Sequence, residues 1–193
     1  MNQVITDGLN LMPPSFGDGL GVWSQEDGTP GTDTYASAAN AALVAADQDF
    51  GTCLEILKTA GTTRLRYMGE TPVLPGLYLR VSARIKALSG SLPDVRIAAW
   101  AGRSNDTNVP GVTEVGPQTA LTAYGEVVTV SAIIGVGARG GVDMAWGEEA
   151  AYGHMGLDLT GANGGTVRIE SIKVEDITHV FYRKLMDWVD VKD

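Results

Sequence analysis

The sequence predicts an all-β fold, an antiparallel β-sandwich of jelly-roll type with about eight strands, a loop-rich N-terminal arm and a short C-terminal extension. Three observations predict it. Glycine is abundant, at 25 of 193 residues, so turns must be numerous. Apolar residues alternate with polar ones along several segments, the period of a strand with one wet face. Turn-forming clusters separate those segments at short intervals, as in Leu74-Pro75-Gly76, Ser89-Gly90-Ser91 and Gly161-Ala162-Asn163-Gly164-Gly165. With 44% apolar content, a chain of this length buries a substantial single core.

Residues 1–49 read as the arm, crowded with Gly, Pro, Asp and Ser. The stretch Tyr35 to Ala46 is the exception. Its alanines permit a helical turn, and its small side chains equally suit an extended strand. Residues 50–177 form the predicted sandwich, with strands at Cys53 to Lys58, Arg64 to Met68, Leu77 to Lys86, Val95 to Trp100, Glu126 to Ile134, Val142 to Trp146, Met155 to Leu159 and Val167 to Glu175. The strand from Leu77 is the clearest: Leu77, Leu79, Val81, Ala83 and Ile85 share one face, and Tyr78, Arg80, Ser82, Arg84 and Lys86 share the other. Two four-stranded sheets accommodate the count. In residues 178–193, Phe181, Leu185 and Trp188 recur at helical spacing. A helix so short needs a surface to pack on, so Phe181, Leu185, Trp188 and Val189 are assigned to coupling with another copy of the chain or a neighbouring module.

Charge narrows the function classes. Residues 1–57 hold eight acids and no Lys or Arg, so nearly all of the net charge of −9 resides there. Such a field repels phosphate backbones and anionic lipid surfaces, which argues against nucleic-acid and membrane partners. The apolar runs fall far short of the roughly 20 residues of a membrane helix. No basic residue precedes an apolar stretch at the N-terminus, so cytoplasmic synthesis without a signal peptide is expected. Cys53 sits among Leu54, Ile56 and Leu57 as a core thiol.

Catalysis finds no support in the spacing. Cys53, His154 and Asp158 supply the residue types of a nucleophilic triad, but Cys53 lies in an apolar strand and the other two are four apart in an extended segment. Glu148 and Glu149 are adjacent and point to opposite faces, which does not suit paired-carboxylate hydrolysis. The chain is read as non-enzymatic. Carbohydrate binding is better served, since sugar rings stack on exposed aromatics while polar neighbours hold their hydroxyls. Trp100, Trp146, Tyr124 and Tyr152 are the candidate platforms, with Arg103 and Asn105 in the loop after Trp100, together with Arg96, Asp106 and Asp143.

Three groups of residues carry resemblances. The strand Leu77 to Lys86, the small-residue strand ending in Trp100 and the last strand Val167 to Glu175 together resemble the jelly roll of carbohydrate-binding modules, whose final strand commonly reads V-x-I-D-D-V-x-V. Here Glu170 and Ser171 stand at the two acidic positions. That resemblance implies one structural Ca²⁺ between the arm and the last strand, for which Asp33, Asp47, Asp49 and Glu170 are the oxygen donors. Asp18 to Ser24 with Asp27 to Gly31, Arg66 to Pro72 and Gly135 to Asp143 are similar to the N-terminal domains of spike and fibre proteins of prophages and gene-transfer-agent particles. Val189, Val191 and Asp193 fit the V-x-V-x-D opening of a pectate-lyase-like β-helix in phage spikes, which implies a β-helix protein or domain beside this one.

The resemblances imply a structural attachment protein on the surface of a phage-like particle. It would be the base of a capsid or tail spike, contacting other copies of itself and capsid or tail proteins. The alternative is a carbohydrate-binding adhesin module for capsular or surface polysaccharide.

Overall fold

The computed structural model describes residues 11–12, 15–26, 28, 33–137 and 140–189, with side chains through Arg183. Among the described residues two 3₁₀ turns, Phe16–Asp18 and Leu20–Val22, precede twelve strands. In order these are β1 (Trp23–Ser24), β2 (Ala41–Asp47), β3 (Gly51–Leu57), β4 (Arg64–Tyr67), β5 (Thr71–Pro72), β6 (Tyr78–Ser89), β7 (Asp94–Gly102), β8 (Thr119–Ala120), β9 (Val128–Val136), β10 (Met144–Trp146), β11 (Tyr152–Thr160) and β12 (Thr166–Asp176). One helix follows, α1 (Thr178–Val189). Sheet I has the order β1-β4-β11-β7-β8, with β5 also paired to β11, and sheet II the order β10-β9-β6-β12-β3-β2. The two make the expected sandwich. Pairing is antiparallel except at the edge of sheet II, where β10 runs parallel to β9.

The alternation seen in the sequence is the alternation of the core. Leu79, Val81, Ala83 and Ile85 of β6 face Val95, Ile97 and Ala99 of β7 and Met155, Leu157 and Leu159 of β11 across the interior. In β12 the apolar parity breaks between Ile169 and Ile172, and the structure shows why: the register against β6 shifts there. This β-bulge lets Val167 and Ile169 on one side of it, and Ile172 and Val174 on the other, all point inward.

Two departures from simple alternation have local causes. Tyr78 lies on the wet face of β6 yet is 6% exposed, because the ring of Phe181 in α1 stacks on it at 4.0 Å and 11°. Lys86, also on that face, is buried by an ion-pair network. The Ala-rich segment 41–47, for which the sequence permits helix or strand, is β2, an edge strand paired to β3. Met12, Phe16, Trp23 and Tyr35, all from the first 49 residues, are core side chains.

Candidate functional site

The outer face of sheet I carries the chemistry. Alternation along β7 turns Arg96, Ala98 and Trp100 outward, and register places Asp158, Gly156 and His154 of β11 beside them in that order. On the far side of β11, β4 brings Arg64 next to Asp158 and Arg66 next to Gly156.

At one end of this face is an aromatic group. Trp100 is half-buried. Its indole packs on the His154 ring with centroids 5.5 Å apart at 28° and on Tyr152 at 5.9 Å and 48°. The Tyr152 hydroxyl donates to Asp106 Oδ1 at 3.2 Å. Burial, reinforced by this bond, pushes that phenol above its usual range. The adjoining turn is closed by the Arg103 amide donating to the Thr107 carbonyl at 2.9 Å. Arg103 pairs with Glu149, and Asn105 Oδ1 accepts from the Thr107 hydroxyl at 2.7 Å. The rim beside Trp100 therefore presents a guanidinium, carboxylates and an exposed amide.

The middle of the face is closed. Arg66 and Asp158 are 4% and 5% exposed and pair at 2.8 Å, while Arg66 also donates to the Leu157 carbonyl at 2.8 Å. The arm reaches both ends of this face, Gly28 at the aromatic end and Tyr35 beside Arg64. Gly28 lies so close to His154 that a Cβ at position 28 would fall 2.7 Å from His154 Cβ, and its φ of +100° already favours glycine. Tyr35 donates to the Arg64 carbonyl at 2.6 Å. Its burial raises the phenol above the ordinary range.

Of the residues expected to bind sugar, Trp100 and Tyr152 are in ring contact and Arg103 and Asn105 lie in the turn that follows Trp100, but Tyr152 is buried and backs the indole instead of offering a face of its own. The structure corrects the assignment of Trp146. That indole is fully buried, donates from Nε1 to the Thr113 carbonyl at 3.1 Å, and fits because position 153 is glycine: a Cβ there would lie 2.5 Å from the indole. Tyr124 is exposed but belongs elsewhere, beside Ala87 of sheet II, with its hydroxyl on the Gly90 carbonyl. Asp143 accepts from the Ile133 amide at the edge of sheet II.

Of the expected calcium donors, Asp47, Asp49 and Glu170 are engaged with Lys and Arg side chains. Asp47 accepts from Lys86 Nζ and Arg168 Nη1, each at 2.7 Å, and from the amides of Asp49 and Phe50. Asp49 pairs with Lys86 at 2.6 Å and Glu170 with Arg84 at 2.9 Å. Asp33 is an exposed residue beside β1, its carbonyl accepting from the Gln25 amide. Asp47, Asp49 and Glu170 thus balance lysine and arginine on sheet II, and among the described residues no three His, Cys, Asp or Glu side chains form a metal cluster. Cys53 lies in sheet II, apart from His154 and Asp158 in sheet I, and burial raises its thiol.

Sequence reasoning missed His154 as a partner of Trp100, and the Arg103–Glu149 pair. The signal for His154 was present: Tyr152, His154 and Asp158 share one parity. Starting the strand at Met155 hid it. Of the coupling residues, Phe181 touches Tyr78, whereas the side chains of Leu185, Trp188 and Val189 lie outside the described residues.

No protein-family model and no curated protein matches this sequence. Solved structures do match in fold. The CBM22-1 xylan-binding domain of Paenibacillus barcinonensis Xyn10C aligns at 12% identity and a TM-score of 0.51, covering 88% of this chain and 96% of that one. A further xylan-binding domain of family CBM22 aligns at 9% identity and 0.56, with 89% and 96% covered. TmCBM61, solved with β-1,4-galactotriose, aligns at 10% and 0.52, with 86% and 98% covered. Against the Clostridium thermocellum Xyn10B chain of binding and catalytic modules, the aligned part spans only 24% of that chain. At these identities the comparisons show the fold alone, a β-sandwich that matches those of these modules.

Proposed function

We propose that this chain is a non-catalytic carbohydrate-binding domain that recognises surface polysaccharide at the Trp100 end of sheet I. One observation carries the reading. Of the three tryptophans whose side chains are described, Trp23 and Trp146 are in the core and Trp100 alone reaches solvent. It does so on a sheet face, held by two further rings and bordered by Arg103, Asn105 and Glu149. An indole fixed in this way offers an apolar plate at little entropic cost, and the rim supplies hydrogen bonds for sugar hydroxyls. The shared fold supports the reading at the level of architecture.

Affinity electrophoresis through gels containing capsular or plant-type polysaccharides tests it. Retardation by at least one polymer is expected, weakened about thirtyfold in Trp100→Ala, the loss typical of a buried aromatic anchor. Trp100→Phe should retain part of it. Equal retardation of wild type and Trp100→Ala would sink the proposal.

The particle-attachment reading draws on a different observation. Helix α1 is anchored by Phe181 yet presents Val180 and Tyr182 at 39% exposure each, a surface suited to a second copy or a spike component. Sedimentation decides this reading. A trimer or pentamer that loses its assembly when 178–193 is deleted supports it, and a monomer that does not bind particles removes it.

A further inference from the structure

The opposite end of the same face holds a second constellation. Arg96 precedes Trp100 by four residues on β7, which places it about 13 Å away on the same side of the sheet. Here Arg64, Arg96, Lys58, Asp158 and Thr160 border an open cleft of about 380 Å³. Three cations therefore meet one carboxylate, and that carboxylate is already shared: Asp158 lies 2.8 Å from Arg66 and 3.4 Å from Arg96. Lys58 is 2% exposed, and its ammonium donates to neutral acceptors, the Gly161 carbonyl at 3.1 Å and Asn163 Oδ1 at 2.6 Å. Among the described residues neither Lys58 nor Arg64 has a carboxylate within ion-pair distance. Two buried polar atoms at the cleft, Arg96 Nε and Thr160 Oγ1, have no hydrogen-bond partner.

This local excess of positive charge is notable in a chain of net charge −9. At physiological ionic strength, charges more than about 8 Å away are largely screened, so a small anion entering the cleft is governed by its walls. A buried guanidinium nitrogen without an acceptor, beside an ammonium without a counter-charge, is a site that a bound anion completes. The planar forks of Arg64 and Arg96 match a planar carboxylate.

We propose that this cleft binds the carboxylate of an acidic sugar, so that the polysaccharide seated on Trp100 is one containing uronic acid. The proposal rests on the carbohydrate reading for the chain around the carboxylate, and on the cleft alone for the carboxylate itself.

The test compares gels containing polygalacturonate with gels containing the same polymer after its carboxyls are reduced to primary alcohols. The wild-type protein is expected to bind the acidic form more tightly, with the preference fading as salt rises. Arg64→Gln, at an exposed position, should lose about fivefold in affinity for the acidic polymer, a solvent-accessible ion pair's share, and keep its affinity for the reduced one. Equal binding of the two polymers overturns the cleft assignment and leaves recognition at Trp100 standing. Binding of dextran sulfate as tightly as polygalacturonate overturns the choice of carboxylate.

A second readout separates the two sites. Monomeric galacturonate, but not galactose, should shift the Arg96 Nε–H resonance. That shift without retardation by any polymer would uphold the cleft and refute the Trp100 platform, and its absence overturns the cleft.

Discussion

Replacing Asp47 by Asn tests the electrostatic reading of sheet II. The Asp47 side chain is 2% exposed and joins Lys86, itself 6% exposed, to Arg168. Removing one partner of an isolated buried pair costs about 3–5 kcal/mol. Here neither cation is stranded, because Lys86 keeps Asp49 at 2.6 Å and Arg168 keeps Glu55 at 2.8 Å. An Asn oxygen also still accepts from the amides of Asp49 and Phe50, preserving the β2–β3 turn. The cost is therefore set at about 2 kcal/mol, or roughly 4–8 °C in Tm for a chain of this size.

The pH dependence follows from the same contacts. Hydrogen bonds from Lys86 and then Arg168 outweigh burial and hold the Asp47 carboxyl well below the ordinary range. A depressed folded pKa means the stabilisation is present above the unfolded value of about 3.9 and lost as pH falls through the folded one. Asn does not titrate, so the gap between wild type and variant should be full at pH 7 and close only in strong acid. Urea unfolding of both proteins across that range measures it. A difference below about 0.5 kcal/mol at pH 7, or one unchanged in strong acid, would refute the assignment of Asp47 as the hub of this network.

Two further perturbations probe the packing. Gly153→Ala should cost about 2 kcal/mol by overpacking against Trp146, since the new Cβ meets the indole at 2.5 Å. Pairing it with Trp146→Phe should cost less than the sum of the two single changes, measured by a double-mutant cycle. Phe181→Ala removes a stacked ring contact worth about 0.5–1.5 kcal/mol. Because a 12-residue helix is marginal alone, hydrogen exchange should show the amides of α1 losing protection while those of β6 and β12 keep theirs.

The sandwich was legible because one-sided burial writes period two into a sequence, and β6 shows that pattern in its residue types from Tyr78 to Ala87. β12 was legible as a strand, but its bulge was not read, although the parity of its apolar residues breaks at Glu170-Ser171. The two-residue strands β1, β5 and β8 were not, since two residues carry no period. Trp146 misled because the exposure of an aromatic depends on what lies across from it, and the glycine that admits it, Gly153, belongs to another strand. The partners of Asp47 were hidden for a related reason: it is 39 residues from Lys86 and 121 from Arg168 in sequence, and only the fold shows its charge already balanced. At the candidate site, Trp100 and its loop were visible as a strand end rich in hydrogen-bonding groups. Its stacking on His154, and the packing of Gly28 on His154 and of Tyr35 on Arg64, arise from register and chain reversal, which composition does not encode.

The central claim is that sugar lies on Trp100, and the indole N–H resonances of a ¹⁵N-labelled sample report on it directly. Titration with a retarding polysaccharide should shift the Trp100 signal while those of Trp23 and Trp146, both in the core, stay in place. A polysaccharide that binds and leaves the Trp100 resonance unmoved would contradict the account.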